Sequence, residues 1–171
     1  VYKRQNADLA ARIIREGGMP VEFPTITIKP LTTGTAFLEA LAKFTEYHWI
    51  VFTSINGVAV FFDALESLGK DARVFASAKV AAIGAETAGK LKQMGIKPDF
   101  VPTFFTSCQL GKQLIASTNL QSKKVLLLRS SLASNELAEL LLTAGAQIDQ
   151  VSVYGIEPVK SKTCLLYTSD A

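Results

Sequence analysis

The sequence predicts a doubly wound α/β domain with a parallel sheet, a three-layer architecture of the flavodoxin-like or Rossmann-like kind. Short apolar runs rich in β-branched residues recur along the chain, and amphipathic helical patterns lie between them. A glycine directly follows several of these helical patterns. This repeating order of strand, helix and glycine indicates parallel strands joined by right-handed crossovers, with helices on both faces of the sheet.

The strands are predicted from apolar runs of the length and composition of buried parallel strands. Five runs qualify: residues 49–53, 80–83, 99–101, 125–128 and 151–154. After the last of them, residues 154–160 continue as an extended, proline-marked segment and do not turn into another helix. That segment is expected to leave the domain.

The helices are predicted from apolar side chains that recur three and four residues apart. The clearest stripe consists of Val58, Phe61, Phe62, Leu65 and Leu68. Shorter stripes lie within residues 110–115 and 137–144, and another helix is expected over residues 37–44. The glycines expected to end helices in the left-handed conformation are Gly69, Gly95 and Gly145.

The two ends of the chain are predicted to differ from its middle. A helical stripe of Leu9, Ala10, Ile13 and Ile14 leads to a strand over residues 21–28, so the first thirty residues form a separate helix and strand. Residues 1–5 and 164–171 fit neither the periodicity nor the punctuation of their neighbours. We expect these outermost residues to be foreign sequence, which implies that the native chain is truncated at both ends.

Composition excludes several classes of protein. The formal charge of +3 is scattered along 171 residues, which argues against a nucleic-acid-binding surface and weakly favours an anionic small ligand. Two cysteines without CxxC spacing and a single histidine indicate neither a disulfide framework nor a metal site. The chain has no apolar run that could cross a bilayer and no signal-peptide pattern, so we expect a cytoplasmic protein that is not in a membrane.

The candidate site lies at the carboxyl ends of the strands, where ligands of open α/β sheets bind. The loops there are rich in hydroxyl side chains, and the helices that start there leave backbone N–H groups unpaired. Together these donors predict a rim that binds an anion such as a polycarboxylate or a phosphate. The candidate residues are Thr53, Ser54, Asn56, Gly84, Thr87, Thr106, Ser107, Arg129, Ser130 and Tyr154.

A purely structural interpretation competes with this one. Ser, Thr and Asn are preferred helix N-caps, so capping is the better explanation for any single loop, while for the whole row the two explanations are balanced. The alternative explanation for Arg129 is a surface ion pair, and the alternative for Tyr154 is a half-buried core tyrosine.

Other chemical motifs are weak or absent. His48 precedes a strand and is better explained as a surface or strand-edge residue, and Cys108 as a small buried side chain. The sequence contains no GxGxxG, GxxxxGK[ST] or GxSxG, so dinucleotide-binding, P-loop and α/β-hydrolase functions lose their main support. Paired carboxylates for acid and base catalysis are also absent.

Five segments, taken in order, resemble one enzyme family. They are FTSINGV at residues 52–58, AIGAETA at 82–88, DFVP at 99–102, VLLLR at 125–129 and VY at 153–154. In this order and spacing the chain resembles uroporphyrinogen-III synthase over residues 6–160. The ordered set is specific, although each segment alone is not.

The resemblance implies two similar α/β domains, the second inserted into the first, with the active site in a cleft between them. Residues 6–31 would belong to the discontinuous domain, residues 32–153 would form the inserted domain, and residues 154–163 would form the connector strand. Much of the discontinuous domain would then be missing, so we expect this fragment alone to be inactive.

The resemblance also implies the reaction, which closes hydroxymethylbilane to uroporphyrinogen III with inversion of the last pyrrole ring and loss of water. No cofactor or metal is implied, and the expected partner is a polycarboxylate tetrapyrrole bound by an enzyme that is monomeric when complete. Tyr154 resembles the family tyrosine that helps the hydroxyl leave. Cleft-facing loop positions of the family are matched by Thr53, Ser54, Gly84, Thr87 and Arg129. The competing function is a non-catalytic α/β module that binds an anion or another ligand.

Overall fold

The computed structural model describes residues 2–21, 25–75 and 78–159, with side chains from residue 9 onward. The described residues divide into two compact units. The larger unit is continuous and spans Lys29–Gly155. The smaller unit contains the described residues that precede and follow it. Assigning the two to an inserted and a discontinuous domain stays a prediction.

The described residues contain six α-helices and five strands. The helices are α1 Tyr2–Arg15, α2 Thr35–Ala42, α3 Ile55–Ser67, α4 Ala85–Gln93, α5 Ser107–Ser117 and α6 Glu136–Thr143. The strands are β1 Ile26–Pro30, β2 Trp49–Phe52, β3 Lys79–Ala82, β4 Lys124–Ser130 and β5 Gln147–Pro158. Short 3₁₀ turns lie at Phe44–Glu46 and Ala72–Phe75.

The sheet has the order β1-β5-β4-β2-β3. The pairings of β5 with β4, β4 with β2 and β2 with β3 are all parallel, as the sequence predicts. β1 runs antiparallel to β5, because Leu31 N–H donates to the Val153 carbonyl and Val159 N–H donates to the Thr25 carbonyl. The carboxyl ends of the four parallel strands therefore share one edge of the sheet.

Apolar side chains cover both faces of the sheet, because successive residues of a strand point to opposite sides. On one face, Trp49 and Val51 of β2 pack with the leucines of α5 and α6. On the other face, Phe52 lies edge-on to Phe61 of α3, with ring centroids 5.6 Å apart. Layers on both faces confirm the predicted architecture.

The glycine punctuation is also confirmed. Gly69, Gly95 and Gly145 have φ values of 66°, 83° and 85°, and each lies two residues after the last residue of a helix. Only glycine adopts this left-handed conformation without a steric cost.

Two strand predictions need correction. Residues 99–101 form a single bridge between Phe100 and Ala81 and no strand, because the Asp99 carboxylate takes the Val80 N–H at 2.8 Å and Pro102 has no N–H to donate. The strand predicted over residues 21–28 is β1, which begins only at Ile26 and runs to Pro30. Residues 22–24 of that prediction lie outside the described residues.

The predicted helix near the amino end is confirmed as α1, although it begins at Tyr2, within residues expected to be foreign. Among the described residues, Leu9 of this helix is 58% exposed and Ile14 is 62% exposed. Two residues of its apolar stripe are therefore exposed, while Ala10 and Ile13 are half-buried. The other residues predicted to be foreign, 164–171, lie outside the described part of the chain.

Candidate functional site

Two candidate residues one hundred positions apart in sequence meet at the carboxyl edge of the sheet. The hydroxyl group of Tyr154 donates a hydrogen bond to Ser54 Oγ at 3.0 Å. Tyr154 is only 5% exposed, and Ser54 is half-buried. The alternative of a core tyrosine is therefore correct for the ring, while the hydroxyl group reaches a candidate site residue.

Ser54 is the N-cap of α3, so the capping explanation holds at this position. Its backbone is extended, and its Oγ accepts the Gly57 N–H at 3.0 Å, which pairs one of the donors in the first helical turn. A Cβ atom at Gly57 would lie 3.1 Å from Ser54 Oγ and 3.7 Å from a methyl group of Val153. A larger residue at position 57 would therefore crowd the capping oxygen of Ser54, while its distance to Val153 is an ordinary van der Waals contact.

Thr53 and Asn56 flank Ser54. Thr53 Oγ1 donates to the Leu128 carbonyl at 3.3 Å, and the Thr53 N–H donates to the same oxygen at 3.3 Å. Both bonds fasten the end of β2 to β4. Asn56 lies in the first turn of α3 and is half-buried.

Arg129 occupies the interior near the end of β4, at 9% exposure. Its guanidinium group donates to the Asn135 side chain at 3.1 Å, to the Gln150 side chain and to the Ala133 carbonyl. Burial lowers the pKa of Arg129 from its ordinary value. The surface ion pair proposed as its alternative role is wrong, because the group is buried and its recorded partners in the described residues are neutral oxygens.

Ser130 ends β4 at a break in the register. Arg129 is opposite Ser152, but Ser130 is opposite Tyr154, so Val153 is skipped. The Ser131 N–H donates to the Tyr154 carbonyl at 2.9 Å, and Ser130 Oγ accepts the Leu132 N–H at 3.2 Å. The loop held by Arg129 thus reaches the backbone of Tyr154 directly.

Gly84 and Thr87 lie at the start of α4, which follows the edge strand β3. Gly84 is the N-cap and provides no side chain to the first turn, while Thr87 is buried three residues later. Capping is therefore wrong as the explanation for Thr87. A Cβ atom at Gly84 would lie 2.9 Å from Cγ of Phe105, a ring that is 58% exposed.

Thr106 and Ser107 start α5. Thr106 Oγ1 accepts the Gln109 N–H at 3.2 Å, so Thr106 is an N-cap, and Ser107 is the first residue of the helix. Cys108 follows as a free, partly buried thiol. These residues approach the Gly84 loop through the neighbouring Phe105 ring.

The candidate residues therefore form two groups at one edge. The first group is Thr53, Ser54, Asn56, Arg129, Ser130 and Tyr154, and the second is Gly84, Thr87, Thr106 and Ser107. No recorded hydrogen bond between described residues joins the two groups. Phe105 and Gly57 also belong to this edge and were not among the candidate residues, although the spacing of Ser54 and Gly57 is that of an N-cap and the N–H group it accepts.

The described residues contain neither a group of metal ligands nor a membrane-spanning helix. Among the residues that the structure describes, no group of three or more His, Cys, Asp or Glu side chains is arranged to hold a metal ion. Within the same ranges, no helix has both the length and the apolar character needed to cross a membrane. His48 lies exposed before β2, where Nδ1 accepts the Lys124 N–H at 3.3 Å, as expected for a strand-edge histidine.

Sequence comparison identifies relatives along nearly the whole chain. The family model for uroporphyrinogen-III synthase HemD matches residues 7–167. The porphyrin biosynthesis protein HemD of Ruminiclostridium josui is 34% identical over 152 residues, which cover 89% of this chain and 30% of that protein. The uroporphyrinogen-III synthase of Synechococcus elongatus is 26% identical over 153 residues, which cover 88% of this chain and 56% of that enzyme.

Structural comparison gives the same fold. A crystal structure of a mutant uroporphyrinogen III synthase from Thermus thermophilus superposes with a TM-score of 0.67 at 22% identity, covering 91% of this chain and 60% of that one. The synthase structure from Helicobacter pylori gives a TM-score of 0.52 at 24% identity, covering 82% of this chain and 56% of that one. Sequence and fold lead to one conclusion: this chain belongs to the uroporphyrinogen-III synthase HemD family.

Proposed function

We propose that this chain provides part of a uroporphyrinogen-III synthase that converts hydroxymethylbilane to uroporphyrinogen III, with loss of water and inversion of the last pyrrole ring. We further propose that the complete enzyme is cytoplasmic and monomeric, requires no cofactor and binds neither nucleic acid nor membrane. The chain spans 30% and 56% of the length of the two relatives described above, so both relatives are longer proteins.

The observation that best supports the proposal is the hydrogen bond between Tyr154 and Ser54. Tyr154 is the residue that resembles the family tyrosine, and its hydroxyl group ends at the carboxyl edge of the sheet, beside the start of α3. A pair of hydrogen-bonded hydroxyl groups at this edge is suitably placed to pass a proton to a leaving hydroxyl of a ligand bound there.

The remaining candidate residues suit a substrate with many carboxylates. The edge presents the hydroxyl groups of Ser54 and Thr106, together with the start of α4, where no side chain caps the helix, whereas the Thr53 hydroxyl already donates to the Leu128 carbonyl. Backbone N–H groups at a helix start attract anions without adding a mobile charge. We propose that these groups position the acetate and propionate arms while Arg129 holds the loop after β4.

Positioning is the central task of such an enzyme. The linear tetrapyrrole also closes without catalysis, to the isomer in which the last ring is not inverted. The protein must therefore favour attack at the substituted carbon of that ring, which requires the two reacting ends to be held in one geometry. A rigid edge built from strand ends and capped helices meets that requirement.

Two assays test the proposal. The first titrates the 171-residue chain with uroporphyrinogen III under anaerobic conditions and measures binding. The second measures turnover in an extended chain, in which the 171 residues are joined to the parts of the S. elongatus synthase outside the matched region, with product isomers separated by chromatography. We expect binding in the first assay and an excess of isomer III in the second.

The same assays distinguish the competing function. A non-catalytic module would bind anions such as inorganic phosphate with similar affinity and would leave the extended chain producing the uncatalysed isomer. No binding of uroporphyrinogen III together with no excess of isomer III would contradict the proposed function.

A further inference from the structure

The hydroxyl group of Ser54 has its two acceptor positions occupied from within the protein. A serine oxygen carries two lone pairs and one proton. One lone pair accepts the Tyr154 O–H at 3.0 Å, and the other accepts the Gly57 N–H at 3.0 Å. What remains on this oxygen is its own proton.

That proton has no recorded acceptor among the residues that the structure describes. The two occupied positions also fix its direction, because the four substituents of a hydroxyl oxygen are arranged tetrahedrally around it. Tyr154 lies on one side and the first turn of α3 on another. The proton therefore points away from both, and Ser54 acts as an oriented donor.

Burial decides which of the two hydroxyl groups a ligand meets first. Tyr154 is 5% exposed, whereas Ser54 is half-buried and stands at the start of a helix. A ligand at the carboxyl edge can approach Ser54 while the tyrosine lies behind it. The 5% exposure of Tyr154 leaves little of its side chain for a ligand to contact directly.

From this arrangement we infer that Ser54 is the group that passes a proton to the leaving hydroxyl of the substrate, and that Tyr154 supplies the proton to Ser54. This inference rests on the proposed function. As the bond between carbon and the leaving oxygen breaks, its electron pair goes to that oxygen, which takes the Ser54 proton and departs as water. Ser54 takes the Tyr154 proton, and the resulting tyrosinate recovers a proton when a pyrrole ring later loses one.

Tyr154 and Ser54 then act in series, which distinguishes this arrangement from a direct contact with Tyr154. In a series, removing either hydroxyl group interrupts the same transfer, so the two losses do not add. With direct contact, removing the serine hydroxyl opens access to the tyrosine and leaves the transfer largely intact. The two arrangements therefore predict opposite results for Ser54 variants.

The variants are chosen to separate proton transfer from helix capping. Ser54→Gly removes the hydroxyl group at a position where glycine is tolerated as an N-cap, and Ser54→Thr keeps both the cap and the hydroxyl group. Tyr154→Phe removes the other hydroxyl group. Tyr47→Phe serves as the control, since Tyr47 is a buried tyrosine at the opposite end of the sheet.

The first measurement is turnover of the extended chain. We expect Ser54→Gly to lower the rate of isomer III formation by about 10- to 1,000-fold, as far as Tyr154→Phe does, with no further loss in the double variant. Ser54→Thr should restore most of the rate, and Tyr47→Phe should leave it unchanged. A Ser54→Gly rate close to that of the unmodified protein would overturn the inference.

The second measurement uses the 171-residue chain with ¹³C at the ring carbon that carries the tyrosine oxygen. Bound uroporphyrinogen III should shift the Tyr154 signal in the unmodified chain and in Ser54→Thr, but not in Ser54→Gly. An equal or larger shift in Ser54→Gly would show direct contact with Tyr154 and overturn the inference. If the unmodified protein neither binds uroporphyrinogen III nor forms isomer III, the proposed function fails; if it does both and Ser54→Gly behaves identically, the relay alone fails.

Discussion

The two ends of the parallel sheet each contain a buried tyrosine, and the two tyrosines donate to different kinds of acceptor. At the amino end, Tyr47 donates to the carboxylate of Asp149 at 2.5 Å. At the carboxyl end, Tyr154 donates to the hydroxyl group of Ser54 at 3.0 Å. A carboxylate has no proton to pass on, so the first chain of hydrogen bonds stops there, whereas the second continues to a donor.

The polar groups around the two tyrosines also differ. Near Tyr47, Lys124 pairs with Glu46 at 2.5 Å, so opposite charges compensate one another within the protein. Burial, followed by the hydrogen bond to Asp149, raises the pKa of Tyr47. Near Tyr154 the polar groups are hydroxyls, helix starts and a buried arginine held by neutral oxygens. The groups nearest Tyr47 are thus paired with one another, while the carboxyl end has donors to offer a ligand.

The largest expected effect separates the two tyrosines by turnover. In the extended chain, Tyr154→Phe should lower the rate of uroporphyrinogen III formation by about 10- to 1,000-fold, because a positioned proton donor is lost. Tyr47→Phe should leave that rate unchanged while lowering the stability of the fold. The rates are measured by separating the product isomers over time. Equal rates for the two variants would contradict the contrast between the two tyrosines.

The second effect concerns Arg129, which holds the loop after β4. Arg129→Lys in the 171-residue chain should lower the free energy of unfolding by roughly 1–3 kcal/mol, since a lysine cannot satisfy the Ala133 carbonyl and the two amide side chains together. Arg73→Lys is the control, because Arg73 is exposed and pairs only with Asp71 among the described residues. Urea denaturation measures both.

A destabilised Arg129→Lys should also loosen the loop it holds. Amide hydrogen exchange at Ser131, whose N–H donates to Tyr154, should accelerate more than exchange at β2. Unchanged exchange at Ser131 would show that Arg129 does not hold this part of the edge.

The third effect tests the second group of candidate residues through its glycine. Gly84→Ala should cost about 1 kcal/mol of stability, because the new methyl group meets the Phe105 ring, and should weaken uroporphyrinogen III binding. Gly89→Ala, in the same helix with no atom within 4 Å of the new methyl group, should instead stabilise the chain by about 0.5–1 kcal/mol. Binding unchanged by Gly84→Ala would remove the Phe105 loop from the site.

The smallest effect belongs to the amino end. The hydrogen bond from Lys124, followed by its charge, lowers the pKa of Glu46. A lowered folded-state pKa means that the pair stabilises the fold above the unfolded pKa of about 4.3, and that this contribution is lost as the pH falls through the folded value. Glu46→Gln should therefore flatten the dependence of the urea midpoint on pH between about pH 5 and 3.

Because both partners are exposed, this last effect should be small and should disappear in high salt. Turnover of the extended chain should not respond to Glu46→Gln. A loss of turnover would show that the amino end takes part in the reaction and would contradict the contrast between the two ends.

Local patterns were enough to predict most of the fold. The stripe within α3 and the glycines at positions 69, 95 and 145 act through neighbouring residues, so their outcome depends little on distant parts of the chain. Residues 99–101 failed as a strand for the opposite reason. Val101 is 38% exposed, and the Asp99 side chain competes with the backbone for the Val80 N–H.

The sequence predicted where the candidate residues lie but not which of them form hydrogen bonds with one another. That strand ends share one edge follows from parallel topology, so the sequence located Ser54 and Tyr154 at that edge. Their hydrogen bond depends on the register of β2, β4 and β5 and on the skipped Val153, which no local pattern encodes. The burial of Arg129 likewise depends on Gln150 of a neighbouring strand.

The most direct test of the account is a map of where uroporphyrinogen III binds on the 171-residue chain. Amide chemical shifts of the ¹⁵N-labelled protein, recorded during an anaerobic titration, report both ends of the sheet in one experiment. The account predicts the largest shifts at Ser54, Gly57 and Ser131, with little change at Tyr47 and Asp149. Shifts concentrated around Tyr47 and Asp149, or shifts absent from the carboxyl end at saturating ligand, would contradict it.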